Sequence, residues 1–171
     1  MGFFDKLFGK EKDGASAPVC EPLTVYAVTA GEVILLAQFP DELFSQEMLG
    51  PGCGILPAEE IVRAPFNGTV TQLTDTGHAI GVTSDDGVEL LIHIGVDTVE
   101  MGGQGFKSHA VVGQKIRRGD RLITFDRDAI KAAGHSEAIA VVVTNSDEFS
   151  AVKMKASGKV STEDAILTLS R

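Results

Sequence analysis

The stretch "GVELLIHIGVDTV", residues 87–99, has the alternation of a half-buried β-strand. Val88, Leu90, Ile92, Ile94 and Val96 fall on one face without a break, the period-2 pattern of a strand with one side in a core. The other face runs Glu89, Leu91, His93 and Gly95, so an imidazole stands in mid-strand two residues before a glycine. Strand parity turns His93 away from the apolar face, beside Leu91, where a partner can reach it. Gly95 lets the backbone approach closely, and a carbonyl accepting from Nδ1–H would leave Nε2 as the free nucleophilic nitrogen.

Outward from this strand, short β-rich runs alternate with turn residues. Strands are expected near 23–28, 32–38, 60–66, 69–74, 79–84, 88–95, 109–112, 121–125, 139–144, 158–161 and 166–169. Gly68, Asp86-Gly87, Gly113, Gly119-Asp120 and Gly158 punctuate them. Only "PDELFSQEMLG" (40–50) and "RDAIKAAG" (127–134) read as helical turns, the second closed by Gly134. The pattern is all-β, an antiparallel sandwich or barrel. "APFNGTV" (64–70), "VVGQKIRRGDRLITF" (111–125) and "ASGKVSTEDAIL" (156–167) echo one another, each with a glycine shortly before a β-branched strand residue. Such repeats resemble the hairpins of duplicated, swapped-hairpin barrels of the lipoyl type, without the lysine-bearing tip of those carriers.

The chain of 171 residues suffices for one sizeable core and is short for two. A formal charge of -9 argues against nucleic acid as a partner, since that affinity comes from basic surface. The longest apolar runs, 33–37 and 138–143, fall far short of the ~20 residues a transmembrane helix takes, and no secretory leader is visible. Cys20 and Cys53 form no CxxC and read as two reduced thiols of a cytoplasmic protein. Residues 1–21 form an amino-terminal segment and linker, and 22–171 the folded domain. In "MGFFDKLFGKEKD" (1–13), Phe3, Phe4, Leu7 and Phe8 recur at helical spacing among Lys6, Lys10 and Lys12. That is the pattern of an amphipathic helix making weak peripheral contact with the inner face of an anionic membrane.

A second histidine follows Thr76 in "DTGHAI". Counting back from the turn at 84–87 places His78 opposite His93 in an antiparallel pair, with Cβ atoms about 5 Å apart. Two facing imidazoles supply two metal ligands where zinc takes three or four. General acid–base chemistry would need further Ser, Cys or carboxylate groups that do not accompany them. Phosphoryl relay needs least: His93 Nε2 takes the group covalently, while His78 and Thr76 steady its oxygens.

"GVELLIHIGVDTV" resembles the signature of the glucose-type IIA domain of the bacterial phosphoenolpyruvate-dependent sugar phosphotransferase system. "PDELF" (40–44), "VRAPFNGTV" (62–70), "TGHAI" (76–80), "GFKSHAVVGQKIRRGD" (105–120) and "GKVSTEDAIL" (158–167) agree in order, so the likeness covers roughly 22–170. It implies an antiparallel β-sandwich and a phosphocarrier in which His93 is phosphorylated, His78 supports it and Thr76 orients His78. It implies a donor, the histidine phosphocarrier protein, and an acceptor cysteine on the IIB domain of a sugar permease. Asp41, Phe44, Leu91 and Asp97 are then partner-binding residues around the site. No cofactor is required, although a Zn²⁺ held by His78 and His93 and completed by a carboxylate of a regulatory target is also implied. Thr74, where the enterobacterial member is aromatic, and Gly77, in place of an asparagine, depart from the pattern. The competing readings are a non-enzymatic regulatory binding module using the same face and, more remotely, a metal-dependent hydrolase.

Overall fold

The computed structural model describes residues 19–171. The amphipathic reading of residues 1–13 and most of the linker lie outside the described residues. No helix among the described residues is long and apolar enough to cross a membrane.

The chain forms β1 (Thr24–Tyr26), β2 (Gly31–Leu35), α1 (Glu42–Ser45), β3 (Gly52–Pro57), β4 (Ile61–Arg63), β5 (Gly68–Leu73), β6 (Ala79–Ser84) and β7 (Glu89–Ile94). There follow β8 (Phe106–Ser108), β9 (Lys115–Ile116), β10 (Arg121–Phe125), α2 (Arg127–Ala132), β11 (Ile139–Val143), β12 (Ala151–Met154), β13 (Gly158–Val160) and β14 (Ala165–Ser170). An eight-stranded sheet has the order β9-β5-β6-β7-β11-β3-β2-β13 and does not close. Two three-stranded sheets, β4-β10-β8 and β12-β14-β1, complete an antiparallel sandwich. Two of the three sequence echoes, 111–125 and 156–167, map onto a duplication, while 64–70 leads into β5, an inner strand of the large sheet. β9 and β13 are the two outermost strands of the large sheet, and each is followed by the central strand of a small one, β10 and β14.

Strand β7 is the middle of the argument in space as well as in sequence. Leu90, Ile92 and Ile94 point into the main core with Ile55, Phe66, Ile80, Leu122, Ile139 and Val141, each at most 2% exposed. Burying each such side chain contributes about 1.5–3 kcal/mol before entropy. Its neighbour β11, "IAVVV", is buried on both faces, because a second cluster covers the outer side. There Ala138, Ala140 and Val142 pack under Leu36, Phe39 and Phe44, with Leu91 and Val96 at the margin. The segment between β2 and β3, including a 3₁₀ turn at Leu36–Gln38 and α1, is therefore a lid over β11 beside His93.

Several elements depart from the sequence reading. Strand β3, "GCGILP", reads as loop because glycine and proline weigh against strands, yet it pairs with both β11 and β2. Packing explains its composition: a Cβ on Gly54 would lie 2.9–3.0 Å from Ile34 and the Phe39 ring. The strand expected at 32–38 ends at Leu35, where the Gln38 side chain accepts from the Leu35 N–H at 3.0 Å and starts the 3₁₀ turn. The helical stretch 40–50 contracts to Glu42–Ser45, capped by Asp41, whose Oδ1 accepts from Leu43 N–H at 2.8 Å. The strand placed at 109–112 lies at 106–108, and Val111 and Val112 turn outward into solvent. β9 and β12 are too short and too mixed in polarity to stand out as strands. Helix α2 ends as Gly134 suggests, its N–H bonding to the Lys131 carbonyl at 2.9 Å and that of His135 to Ile130 at 3.1 Å.

Candidate functional site

His93 projects from the outer face of β7, flanked across the sheet by Ala79 on β6 and Ala140 on β11. Small neighbours on both sides leave the imidazole standing in a shallow place rather than walled in. Phe44 of α1 closes one flank, its ring centroid 5.1 Å from that of His93 and 5.3 Å from that of Phe39. His93 Nδ1–H donates to the Gly95 carbonyl at 2.8 Å. Gly95 achieves this with φ +79°, and a Cβ there would lie 2.9 Å from the Ser136 carbonyl and closer still to Thr98. The bond fixes the ring and the tautomer, leaving Nε2 without a proton.

His78 is not the cross-strand partner that counting from the turn suggests. The register is offset by one: Ala79 faces His93, and the His78 carbonyl instead accepts from Ile94 N–H at 2.8 Å. The rings meet nonetheless, with centroids 5.0 Å apart and planes at 76°. The reason is local. His78 precedes β6 in a turn where Gly77 N–H bonds to Thr74 O at 3.0 Å and Gly77 has φ +77°. Outside the pleat, the side chain is free of strand alternation and swings onto the face of its neighbour. Thr76 Oγ1 lies 2.6 Å from His78 Nδ1, while the Thr74 hydroxyl is tied to Ala79, donating to its carbonyl at 3.2 Å.

Of the other expected residues, Asp41 caps α1 and Asp97 opens the 3₁₀ turn at Thr98–Met101 with a left-handed φ of 59°, a conformation Asp tolerates. Both carboxylates act on His93 electrostatically. Leu91 is half-buried two residues from His93 on the same face. Two residues enter the site without a signal in the sequence: Phe106 of β8, whose ring centroid is 6.5 Å from His78, and Phe39, which backs Phe44. Both are ordinary apolar residues of loops and short strands, and only long-range packing brings them to the histidines.

Desolvation holds His93 below its usual range of about 6.5, with the Gly95 hydrogen bond and the charges of Asp41 and Asp97 opposing it. Desolvation, then the charge of His93, lowers His78 as well. Both imidazoles are thus neutral at pH 7, the state a nucleophile and a hydrogen-bonding helper need. Among the described residues no three His, Cys, Asp or Glu side chains are placed to hold a metal ion. The site is a pair of neutral imidazoles with two carboxylates nearby and an aromatic flank, a shape open to another macromolecule.

Comparison with known proteins converges on one family. The family model for the phosphoenolpyruvate-dependent sugar phosphotransferase system, EIIA 1, matches residues 23–149. The glucose-specific EIIA component of Haemophilus influenzae is 36% identical over 171 residues, covering 100% of both chains. The beta-glucoside-specific EIIBCA component of Bacillus subtilis is 44% identical over 146 residues. That match covers 85% of this chain but only 24% of the relative, so the chain spans about a quarter of that protein. In structure, the glucose permease IIA of Mycoplasma capricolum superimposes with a TM-score of 0.74 at 33% identity, over 85% of this chain and 94% of that one. With its antiparallel sandwich and paired histidines, the chain belongs to the EIIA 1 family of the phosphoenolpyruvate-dependent sugar phosphotransferase system.

Proposed function

We propose that His93 is the phosphoryl acceptor, loaded by a histidine phosphocarrier protein in the cytoplasm and discharged to a cysteine on the IIB domain of a sugar permease. The observation that carries this reading is the 2.8 Å bond from His93 Nδ1–H to Gly95 O, which presents the Nε2 lone pair outward. In the first step that lone pair attacks phosphorus in line. The new P–N bond forms as the donor's P–N bond breaks and its electron pair returns to the donor imidazole. In the second step a thiolate displaces His93 in the same way. The shallow setting serves both transfers, since each needs a nucleophile to approach opposite the bond being broken.

We assign the Thr76 hydroxyl as donor to His78 Nδ1, at 2.6 Å, which places the His78 proton on Nε2, directed to the phosphoryl oxygens. Asp41 and Asp97 work the other way. Their negative charge beside a phosphoryl group of charge near −2 keeps the adduct high in free energy and ready to leave. Leu91 and the exposed Leu43 and Val99 form an apolar rim on which both partners dock, with the buried Phe44 supporting it from beneath. The test is incubation with phosphoenolpyruvate, the first enzyme of the system and the small carrier. One acid-labile phosphoryl group per chain, in the peptide containing His93, is the expected product. A chain that binds the carrier without gaining mass would leave only a regulatory binding module.

The acceptor's pH dependence follows from its surroundings. Because desolvation lowers His93, the nucleophilic form persists below pH 6.5, and the loading rate falls only as pH drops through a more acidic value. Asp41→Asn removes a charge that raises His93 while keeping an oxygen to cap α1, so its profile shifts further to the acid side. Loading rates between pH 5 and 8 for the two chains check this, and a midpoint above 6.5 would refute it.

Zinc is a further use of the same pair. With His93 Nδ1–H on Gly95 O, and with His78 in its other tautomer so that Nδ1–H donates to Thr76 Oγ1, both Nε2 atoms carry a lone pair for a metal. They fit half of a tetrahedral site, so a carboxylate of a bound partner would have to help complete it. Calorimetric titration with Zn²⁺ should show weak binding that disappears in His93→Gln and after phosphorylation, and binding indifferent to both would exclude the pair.

A further inference from the structure

On a chain of charge −9, one region is strongly cationic. Residues 105–121 carry Lys107, Lys115, Arg117, Arg118 and Arg121 against a single carboxylate, Asp120. Asp120 is already engaged, accepting from Arg117 N–H at 2.8 Å. Register places Arg121 directly across from Arg63, whose guanidinium donates to Gly119 O at 3.0 Å. His109 lies in the same neighbourhood, its Nε2 2.9 Å from Thr124 Oγ1. Partial desolvation, then the charges of Arg121 and Lys107, hold its pKa down. Glu60 and Asp126 sit at the other end of the β4-β10-β8 sheet, beside Phe125 rather than Arg121. Lys115, Arg117 and Arg121 are exposed.

Apolar side chains stand among these cations. Val111 is 66% and Val112 60% exposed, side by side at the tip of the loop between β8 and β9, where no packing requirement explains them. The turn that follows β9 ties down residues 19 and 20. Arg118, buried against the Tyr26 ring at 3.8 Å, donates from Nη1 to Val19 O at 2.6 Å and from Nη2 to Thr162 O at 2.8 Å. Asn67 joins both, its Oδ1 accepting from Arg118 N–H at 2.9 Å and its N–H pointing to Cys20 Sγ at 3.4 Å.

We propose that Val111, Val112, Lys115, Arg117 and Arg121, with Arg63 behind them, form a surface that takes an anionic lipid bilayer. This goes beyond the phosphocarrier reading and does not depend on it. Adjacent apolar tips rimmed by cations suit the acyl–headgroup boundary of such a bilayer. A nucleic acid would have no use for the exposed valine pair.

The test uses the full chain and sedimentation with vesicles of phosphatidylcholine alone or mixed with phosphatidylglycerol, at about 0.1 M salt. Charges near an anionic surface act at about fivefold in partition each. Lys115→Gln/Arg117→Gln/Arg121→Gln should therefore lower binding to the mixed vesicles by roughly 100-fold and leave the weak binding to phosphatidylcholine unchanged. Val111→Ser/Val112→Ser should lower it several-fold at unchanged salt dependence. All five positions are exposed, and both variants should melt with the parent chain and load phosphoryl at the parental rate. Partition of both variants within twofold of the parent would overturn the proposal. So would loss in the triple variant of binding to a DNA oligonucleotide or to polyglutamate while vesicle binding is retained.

Discussion

The His93→Gln chain is expected to take up no phosphoryl group from the loaded carrier, at any carrier concentration. The amide of Gln can still donate to the Gly95 carbonyl, so the 2.8 Å anchor and the φ +79° turn that serves it can persist. What disappears is the lone pair. An amide nitrogen is delocalised into its carbonyl and forms no phosphoramidate bond. No described histidine takes over: His78 has its Nδ1 on Thr76, His109 bonds Thr124, and His135 lies 3.9 Å from Glu100. Stability should move by about 1 kcal/mol or less, because His93 is only half-buried and its space stays filled. Intact-mass measurement after incubation, beside a thermal melt, separates lost chemistry from lost fold. A phosphorylated His93→Gln chain would move the acceptor elsewhere.

The His78→Gln chain is expected to behave differently in the two half-reactions. Loading needs little beyond the His93 lone pair and a donor docked on the apolar rim, so it should stay within several-fold of the parent. Discharge brings a thiolate toward a phosphoryl group that already faces Asp41 and Asp97, and negative charge accumulates with no cation in the site. The His78 N–H is the donor placed to offset it, 5.0 Å between ring centroids and held by Thr76. Removing one preorganised donor of this kind costs on the order of 10²–10³ in rate. Sugar phosphorylation by a permease supplied with this chain should fall accordingly while the phosphorylated form accumulates. Thr76→Val should reproduce part of the defect, since it frees the His78 ring without removing it. Parental discharge by His78→Gln would strip the residue of its role.

The two variants probe parts of the site that differ in how visible they are along the chain. The alternation of Val88 to Ile94 is a property of neighbours two apart, so it appears in any reading of the sequence and places Leu90, Ile92 and Ile94 in the core, whereas Val96, past the strand's end, packs instead in the outer cluster with Leu91. The same parity puts His93 on the open face. Gly95, two residues on, makes its hydrogen bond to the carbonyl foreseeable, because donor and acceptor lie within one turn. Sequence echoes at 111–125 and 156–167 likewise foretell the duplicated strand pairs at the two edges of the sandwich.

What local pattern leaves open is whatever depends on how distant segments settle against one another. A register can be counted from a turn, but the turn at Thr74–His78 releases the chain from the pleat, so Ala79 and not His78 faces His93. Strand β3 is glycine-rich because Phe39 and Ile34 press on it from elsewhere in the fold, a demand invisible within "GCGILP" itself. Phe106 reaches His78 from β8, and Phe44 reaches His93 from α1, across separations in the chain for which no motif codes. The place of His93, its tautomer and its open face were settled by residues close in sequence, where covalent geometry carries the information. The ring position of His78, the aromatic flank and the lowered pKa values arose only from tertiary packing, because desolvation and ring contact depend on which surfaces the folded chain brings together.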